Sequence, residues 1–301
     1  DSYSVKLKAI METIDYVLGL GEERKNDYLK VVSEASKAYS LCSTTDEAAK
    51  YNVKIGFFKT VRAGIIKLSI DESKKKTIDQ LDAELNQLIS ESLESKEVID
   101  IMAEIGLNKP DISILSEEFL NEFKKMKHKN VAIELLKRLI EGKLRAIARR
   151  TIVQSRQFSE LLEEALHKYQ SRLVDSTVVI QELIELAKSL TKAVEAGKDS
   201  GLSEDEYAFY EALSSNMSAK EVMGTDVLKE IAKELTRKIK SSTTIDWNIR
   251  DSVRAKIRFE IKILLKKYKY PPDDPKEPNN YDKSVQLIMD QTELVCENEF
   301  N

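Results

Sequence analysis

Lysine and arginine cluster in two tracts of this sequence, and such side chains can neutralise phosphate groups or face an acidic protein surface. The first tract contains Lys124, Lys125, Lys127, His128, Lys129, Arg138, Lys143, Arg145, Arg149, Arg150 and Arg156. The second contains Arg250, Arg254, Lys256, Arg258, Lys262, Lys266, Lys267 and Lys269. Within the second tract only Asp251 and Glu260 oppose the positive charge. Both tracts therefore have the residue types needed to follow a phosphate backbone.

The second tract fits an ordinary amphipathic helix equally well. Its core-facing stripe is Val253, Ile257, Ile261, Leu264 and Leu265, so the basic residues partly occupy the opposite face. Trp247 is the only tryptophan and follows Asp246, a natural N-cap for this helix. It is either a core anchor or an interface hot spot. We take these residues as candidate contacts with DNA or a partner protein: Arg145, Arg149, Arg150, Arg156, Trp247, Arg250, Arg254, Arg258 and Lys262.

Binding of duplex DNA through these residues is expected to be weak and independent of sequence. Clustered lysine and arginine neutralise phosphates, but no recognition motif that reads base edges is found in the sequence. DNA is therefore one candidate partner, and an acidic protein surface is the other.

Other residue types that catalyse reactions or bind metals have simpler explanations. Three acidic groups could bind magnesium or transfer protons, but they also fit solvated faces and first turns of helices: Glu22-Glu23, Glu163-Glu164 and Glu204-Asp205-Glu206. His128 and His167 are the only histidines, too few for a typical zinc cluster. Cys42 and Cys296 lie near opposite ends and are expected to be packing thiols. No Gly-x-x-x-x-Gly-Lys phosphate loop occurs. The sequence predicts no catalytic, metal-binding or cofactor-binding residue, and the chain alone is not expected to be an enzyme.

Composition indicates a soluble protein with a densely charged surface of mixed sign. Charged residues make up 33% of the 301 residues, while the net charge is only -4. No apolar run approaches the roughly 20 residues that span a bilayer. The cysteine spacing fits a reducing compartment, so a cytoplasmic location is expected. Because the chain opens at Asp1 without an initiator methionine, we expect a fragment of a longer protein.

Helix signals cover almost the whole chain. Proline is confined to Pro110 and to a cluster at Pro271, Pro272, Pro275 and Pro278, so the strongest helix breaker is absent elsewhere. Three segments have the spacing of a capping box: Thr44-Thr45-Asp46-Glu47, Ser203-Glu204-Asp205-Glu206 and Ser218-Ala219-Lys220-Glu221. Strand signals are weak, and only residues 111–115 are allowed a short extended connection. The predicted class is all-α, with a large multi-helix domain.

The clearest periodicity is a heptad-like stripe. It consists of Phe158, Leu162, Ala165, Tyr169, Leu173, Ile180, Leu183, Ala187, Leu190 and Val194. Most steps alternate between four and three residues, which indicates one-sided, coiled-coil-like packing. With no Gly or Pro between Arg156 and Ala196, the stripe predicts a long central helix near residues 154–196, about 60 Å in length.

Six segments follow one another in a recognisable order. They are FFKTVRA at 57–63, KPDISILS at 109–116, VQSRQF at 153–158, LSEDEYAFY at 202–210, TIDWNIR at 244–250 and LLKKYKYPPD at 264–273. This order resembles the C-terminal region of restriction (motor) subunits of type I restriction-modification enzymes. Together the six segments extend over nearly the whole chain. Residues 273–280 depart from the usual pattern, because extra prolines and asparagines suggest a longer loop before the last helix.

The resemblance implies a division of labour between this chain and the rest of such a subunit. The nuclease and the ATP-dependent motor domains, with their ATP and magnesium, would lie upstream, and this helical region would join them to the methyltransferase and specificity subunits. Residues 1–110 would continue from the upstream motor domain, and residues 111–301 would form the docking domain. The rival interpretation is a stand-alone helical scaffold or a nonspecific nucleic-acid-binding module.

Overall fold

The computed structural model describes residues 2–69, 117–242, 251–272 and 280–300. These ranges form twelve helices and contain no strand, which confirms the all-α prediction. In chain order the helices are α1 (Ser2–Leu18), α2 (Glu22–Cys42), α3 (Asp46–Ala49), α4 (Asn52–Ser69), α5 (Glu117–Lys125), α6 (Lys129–Ala148), α7 (Ile152–Gln170), α8 (Ser176–Asp199), α9 (Glu204–Ser214), α10 (Met217–Ser242), α11 (Asp251–Lys267) and α12 (Asn280–Phe300). None of the described helices is long and apolar enough to cross a membrane.

The chain divides into two compact units. Unit 1 contains residues 1–142 and 162–188, and unit 2 contains residues 143–161 and 189–301. Helices α6, α7 and α8 therefore each contribute residues to both units. The boundary predicted at residue 110 and the extended connection at 111–115 lie outside the described residues, so both stay predictions.

In unit 1, α1, α2 and α4 pack against one another beside an apolar core. Ile14, Val61, Ile65 and Leu68 are fully buried there. Val61, Ile65 and Leu68 recur at helical spacing, so α4 places one apolar stripe in the core.

A compact group of charges lies beside this core. The Lys25 ammonium, on a side chain that is only 8% exposed, donates to Glu22 at 2.9 Å and to Glu134 at 3.3 Å. Lys137 also donates to Glu22, at 2.7 Å. Burial acts to raise the pKa of Glu22, but the hydrogen bonds from Lys137 and Lys25 outweigh it and hold the pKa below its usual value. Each buried ammonium is thus matched by carboxylates, as its desolvation requires.

The start of α6 is capped by a residue from another helix. Asp15 of α1 accepts hydrogen bonds through Oδ1 from the backbone N–H groups of Asn130 (2.9 Å) and Val131 (3.1 Å). The Asn130 amide donates back to Asp15 Oδ2 at 3.1 Å, and its oxygen accepts from the Tyr169 hydroxyl at 2.6 Å. The first N–H groups of a helix have no partner within the helix. Asp15 therefore stabilises α6 and ties it to α1.

Replacing Asp15 with Ala is expected to lower the free energy of unfolding by about 2 kcal/mol. Two helical N–H groups lose their acceptor, and the Asn130 amide keeps only the Asp15 backbone carbonyl. The matched control is Glu12→Ala on the same helix, whose ion pairs are exposed and 3.9 Å long. Urea denaturation followed by circular dichroism measures both changes. Equal losses in the two variants would contradict the capping role.

In unit 2, α9 packs against α10 and α12, while α11 packs against α10 and α12. Their shared core contains the fully buried Phe209, Leu228, Ile231, Leu264 and Val285. One tyrosine hydroxyl buried in this core has a specific hydrogen-bond acceptor. Tyr270 is 2% exposed and its hydroxyl donates to the Leu213 carbonyl at 2.8 Å. Burial raises the pKa of Tyr270 to about 12, so the phenol stays protonated and remains a donor.

The prediction of one long helix near residues 154–196 is wrong, because two helices, α7 and α8, occupy this segment. Arg172 adopts a left-handed conformation with φ 54°. The Arg172 N–H bonds to the Tyr169 carbonyl at 3.1 Å and the Leu173 N–H bonds to the Lys168 carbonyl at 3.2 Å, the paired bonds that end a helix. Asp175 then accepts from the Thr177 N–H at 2.8 Å and caps α8. Hydrogen bonds from the Thr177 hydroxyl and backbone lower the pKa of Asp175 and keep the cap ionised.

Both halves of the heptad-like stripe are otherwise in place. Phe158, Leu162 and Ala165 on α7 are buried, as are Ile180 and Leu183 on α8. Leu173, between the two helices, is 71% exposed. The break therefore falls where one member of the stripe has left the core.

The predicted helix starts fare differently. The capping box at Ser203 is confirmed, with the Ser203 side chain accepting from the Glu206 N–H and the Glu206 carboxylate accepting from the Ser203 N–H. The box predicted at Thr44 is wrong by one residue: Thr45 caps α3, with its hydroxyl accepting from the Ala48 N–H at 3.2 Å. The box predicted at Ser218 is wrong, because the Asn216 side chain accepts from the Ala219 N–H at 2.9 Å. Asparagine is among the strongest N-caps and displaces the serine from this role.

Candidate docking site

Unit 2 contains a small, mainly apolar pocket of about 100 Å³. Its lining comes from the end of α6 and start of α7, from α8 and from the start of α9: Ile147, Arg150, Thr151, Gln154, Ala193, Val194, Gly197, Lys198, Leu202, Glu204 and Tyr207. The pocket is somewhat smaller than the roughly 150 Å³ cavity that admits benzene. It suits a single aliphatic side chain.

Most of the polar side chains that line the pocket are engaged with one another. Gln154, only 7% exposed, donates its amide to the Tyr207 hydroxyl at 3.3 Å, and its backbone N–H donates to the Thr151 hydroxyl at 3.1 Å. Burial raises the pKa of Tyr207, so the phenol is neutral at physiological pH. A Cβ added at Gly197 would lie 3.1 Å from Tyr207 Cε1. Close approach of α8 to the Tyr207 ring therefore favours glycine there.

The charged rim of the pocket contains both signs. Arg150 Nη1 lies 3.0 Å from Glu204 Oε1, and both side chains are more than half exposed. An exposed pair of this kind contributes little stability. Arg150, Glu204 and the neighbouring Lys198 therefore present charges that a partner protein can bind.

A buried amide holds the turn between α6 and α7 that forms one wall of this pocket. Gln291 of α12 is 0% exposed. Its amide donates to the Arg150 carbonyl at 2.8 Å, and its oxygen accepts from the Ile152 N–H at 3.0 Å. One side chain thus satisfies two backbone groups left without helical partners at the turn.

The predicted contact residues of the first basic tract lie along this turn. Arg145 and Arg149 have exposed side chains, near the end of α6. Arg150 pairs with Glu204 at the pocket rim. Arg156 of α7 pairs with Asp290 of α12 at 3.4 Å.

Those of the second tract that the structure describes lie on α11. Arg254 pairs with Glu293 and Lys262 lies 3.8 Å from Asp282, both carboxylates being on α12. Arg258 is exposed. The remaining two predicted residues, Trp247 and Arg250, lie outside the described residues.

Helix α12 is thus the element that connects the two basic tracts. Asp290 and Glu293, three residues apart, bind Arg156 from one tract and Arg254 from the other. Sequence reasoning missed these carboxylates because it considered each tract with its nearest neighbours only. It also missed the pocket, although two of the resembling segments, 153–158 and 202–210, provide Gln154, Glu204 and Tyr207.

The histidines and cysteines are not gathered into a site. His167 is exposed, as is Cys42, whereas Cys296 is buried in the unit 2 core. Within the described ranges, no group of three or more His, Cys, Asp and Glu side chains could hold a metal ion.

Comparison with known proteins gives consistent matches. Residues 1–298 match the model of the family described as type I restriction enzyme HindI endonuclease subunit-like, C-terminal. The chain is 34% identical over 276 residues to the type I restriction enzyme HindI endonuclease subunit of Haemophilus influenzae, covering 92% of this chain and 25% of that protein. It is 30% identical over 249 residues to a Methanocaldococcus jannaschii protein named as a type I restriction enzyme MjaIXP endonuclease subunit, covering 82% of this chain and 24% of that protein. This chain thus spans about a quarter of the length of these curated relatives. No solved structure matches.

Proposed function

Because this chain belongs to the family of type I restriction enzyme HindI endonuclease subunit-like C-terminal regions, we propose that it docks a restriction subunit onto its modification and specificity subunits. The motor and nuclease parts of such a subunit would pull DNA past the bound complex and cut it, using ATP and magnesium. The helical region would hold those parts on the complex and contribute no catalytic group.

The observation that carries this proposal is the extent of the match. The family model covers residues 1–298, while the same chain corresponds to only 25% of the Haemophilus influenzae subunit. A helical region of this size, separate from most of the subunit, is suited to assembly. Two structural features support that role: an apolar pocket with a charged rim and exposed basic side chains near it.

The alternative is a nonspecific nucleic-acid-binding module, and the exposed Arg145, Arg149 and Arg258 favour it. Neutralising phosphates needs cations that are accessible to the duplex. Arg254, Arg156 and Lys262 are partly occupied by carboxylates of α12. Competition from those carboxylates is expected to keep duplex binding weak.

Separate mixtures of the chain with the methyltransferase-specificity complex and with nonspecific duplex distinguish the two functions. Sedimentation velocity is expected to show a stable complex with the protein core. Duplex binding is expected to be weaker and to fall steeply with added salt. Binding to duplex alone, with no complex formed with the core, would contradict the docking function.

A further inference from the structure

Helix α11 has a second apolar stripe that points away from the core. Ile257, Ile261, Leu264 and Leu265 are buried in unit 2, whereas Phe259 is 63% exposed and Ile263 is 46% exposed. Exposed Ala255 precedes Phe259 by four residues, so the three side chains lie on one face of the helix. We call Ala255, Phe259 and Ile263 the outer stripe.

Lysines and an arginine surround the outer stripe. Lys256 and Lys262 lie three residues before and after Phe259, and Lys266 lies three residues after Ile263, so all three flank the stripe on the helix surface. Arg258 follows next around the helix. Asp251 and Glu260 are the only acidic residues of α11, and the Glu260 carboxylate accepts a hydrogen bond from the Ser242 hydroxyl at 2.7 Å. The field around the stripe is therefore positive.

The cations nearest the outer stripe are also the least neutralised. Arg258 and Lys266 form no ion pair within the part of the chain that the structure describes. Lys256 and Lys262 have only long pairs, of 3.9 Å with Glu260 and 3.8 Å with Asp282. Lys267, further around the helix, lies 2.8 Å from Glu234. These cations are thus available to charged groups at the edge of a partner that covers the outer stripe.

We propose that the outer stripe and its flanking cations bind an acidic amphipathic helix of a partner protein. This proposal rests on the docking function and names the surface and the chemistry of its partner. An apolar centre with a charged rim is the usual anatomy of a protein interface. The face from Ser252 to Lys266 is about 20 Å long, enough for three to four turns of a partner helix. Its leucine or isoleucine side chains would cover Phe259 and Ile263, and its glutamates would meet Lys256, Arg258 and Lys266.

The same face is a poor match for duplex DNA. A surface that follows phosphates places its cations at the centre of contact. Here Phe259 and Ile263 occupy the centre, and their burial against a charged backbone would gain nothing from the hydrophobic effect.

The test uses the full chain, the methyltransferase-specificity complex and two designed helical peptides. One peptide has leucine on one face and glutamate elsewhere, and the other has lysine in place of glutamate. Phe259→Ser with Ile263→Ser is expected to weaken binding of the complex and of the acidic peptide at least about tenfold, the effect of removing an interface anchor. The matched control is Met217→Ser with Val222→Ser on α10, whose side chains are 68% and 71% exposed, and it is expected to bind normally. Circular dichroism checks that all variants stay folded.

Charge reversal and duplex DNA provide the remaining measurements. Lys256→Glu with Arg258→Glu and Lys266→Glu is expected to abolish acidic-peptide binding, most clearly at low salt, and to leave the basic peptide as the better ligand. Full binding of the complex by the serine variant would overturn the outer stripe while leaving the docking function intact. If the wild-type chain binds neither the complex nor the acidic peptide, the outer-stripe proposal is also contradicted. Loss of duplex binding alone on charge reversal would assign the face to DNA instead.

Discussion

An excess of this chain is expected to suppress DNA cleavage by a complete type I restriction enzyme while methylation continues. If the chain carries the docking surface, it occupies the methyltransferase-specificity core and excludes the full restriction subunit. Cleavage should then fall in proportion to occupancy, to about a tenth once the chain outcompetes the restriction subunit for about nine tenths of the cores. Methylation should persist, because the proposed docking function leaves its active site in other subunits. Cleavage and methylation are measured side by side as the chain is titrated in.

Competition must be distinguished from nonspecific inhibition. Added full-length restriction subunit should restore cleavage, because the two proteins contend for the same surface. An unrelated helical protein of similar size and net charge should have no effect. If cleavage is undiminished at a saturating concentration of the chain and sedimentation detects no complex, the docking function is contradicted. The region would then contact only the upstream domains of its own subunit.

The second large effect is expected at the fully buried Gln291. Leucine at this position is of similar size but cannot donate to the Arg150 carbonyl or accept from the Ile152 N–H. These two groups lie 2.8 Å from the glutamine Nε2 and 3.0 Å from its Oε1. A buried backbone group without a partner costs about 1–3 kcal/mol. With two such groups, Gln291→Leu is expected to lose about 3 kcal/mol of stability in urea denaturation. Because the turn also forms a wall of the pocket, binding of the core should weaken under conditions where the variant remains folded.

Two further variants make the reason for that loss measurable. Gln286→Leu is the matched control on the same helix, since the Gln286 side chain is exposed and donates to Asp290. It is expected to change stability by less than about 0.5 kcal/mol. Gln291→Glu keeps the shape but loses the donor when ionised. Burial raises the pKa of such a carboxyl, so its stability should be retained at low pH and lost as pH rises through that pKa. A Gln291→Glu variant insensitive to pH would contradict the two-bond role.

Much of the fold follows from local rules that the sequence displays directly. Proline confined to few places predicted nearly continuous helix, and the serine-glutamate spacing at Ser203 predicted a cap that the structure contains. The break between α7 and α8 was missed for a local reason as well. The apolar stripe keeps its heptad spacing through Leu173 and therefore predicted one continuous helix. Asp175, a strong N-cap residue followed by Ser-Thr-Val, was the signal for a second helix start. The left-handed residue that ends α7 is Arg172 and not a glycine, so the usual sequence signal for a helix C-terminus is absent there.

The remaining features depend on residues far apart in the chain, and no spacing rule reaches them. Asp15 caps a helix that begins more than a hundred residues later, and Gln291 closes a turn at Arg150. Neither residue type indicates such a partner. The candidate contacts were predictable as basic tracts, but their neutralisation was not, because Asp290 and Glu293 come from a helix with its own acidic and apolar pattern. The outer stripe required knowing which side of α11 the core covers.

The interleaving of the two units along the chain sets the order in which a ribosome can deliver them. Unit 1 needs residues 162–188 to be complete, whereas unit 2 begins at residue 143 and needs α12, at the far end. At about 5–20 residues per second, unit 1 has all its parts several seconds before unit 2 does. During that interval the nascent 143–161 segment has emerged without the glutamine that satisfies its turn. No single protease cut or gene truncation separates the units either, because the chain passes between them at residues 142, 161 and 188. A truncation that begins or ends between residues 143 and 187 removes residues of both units.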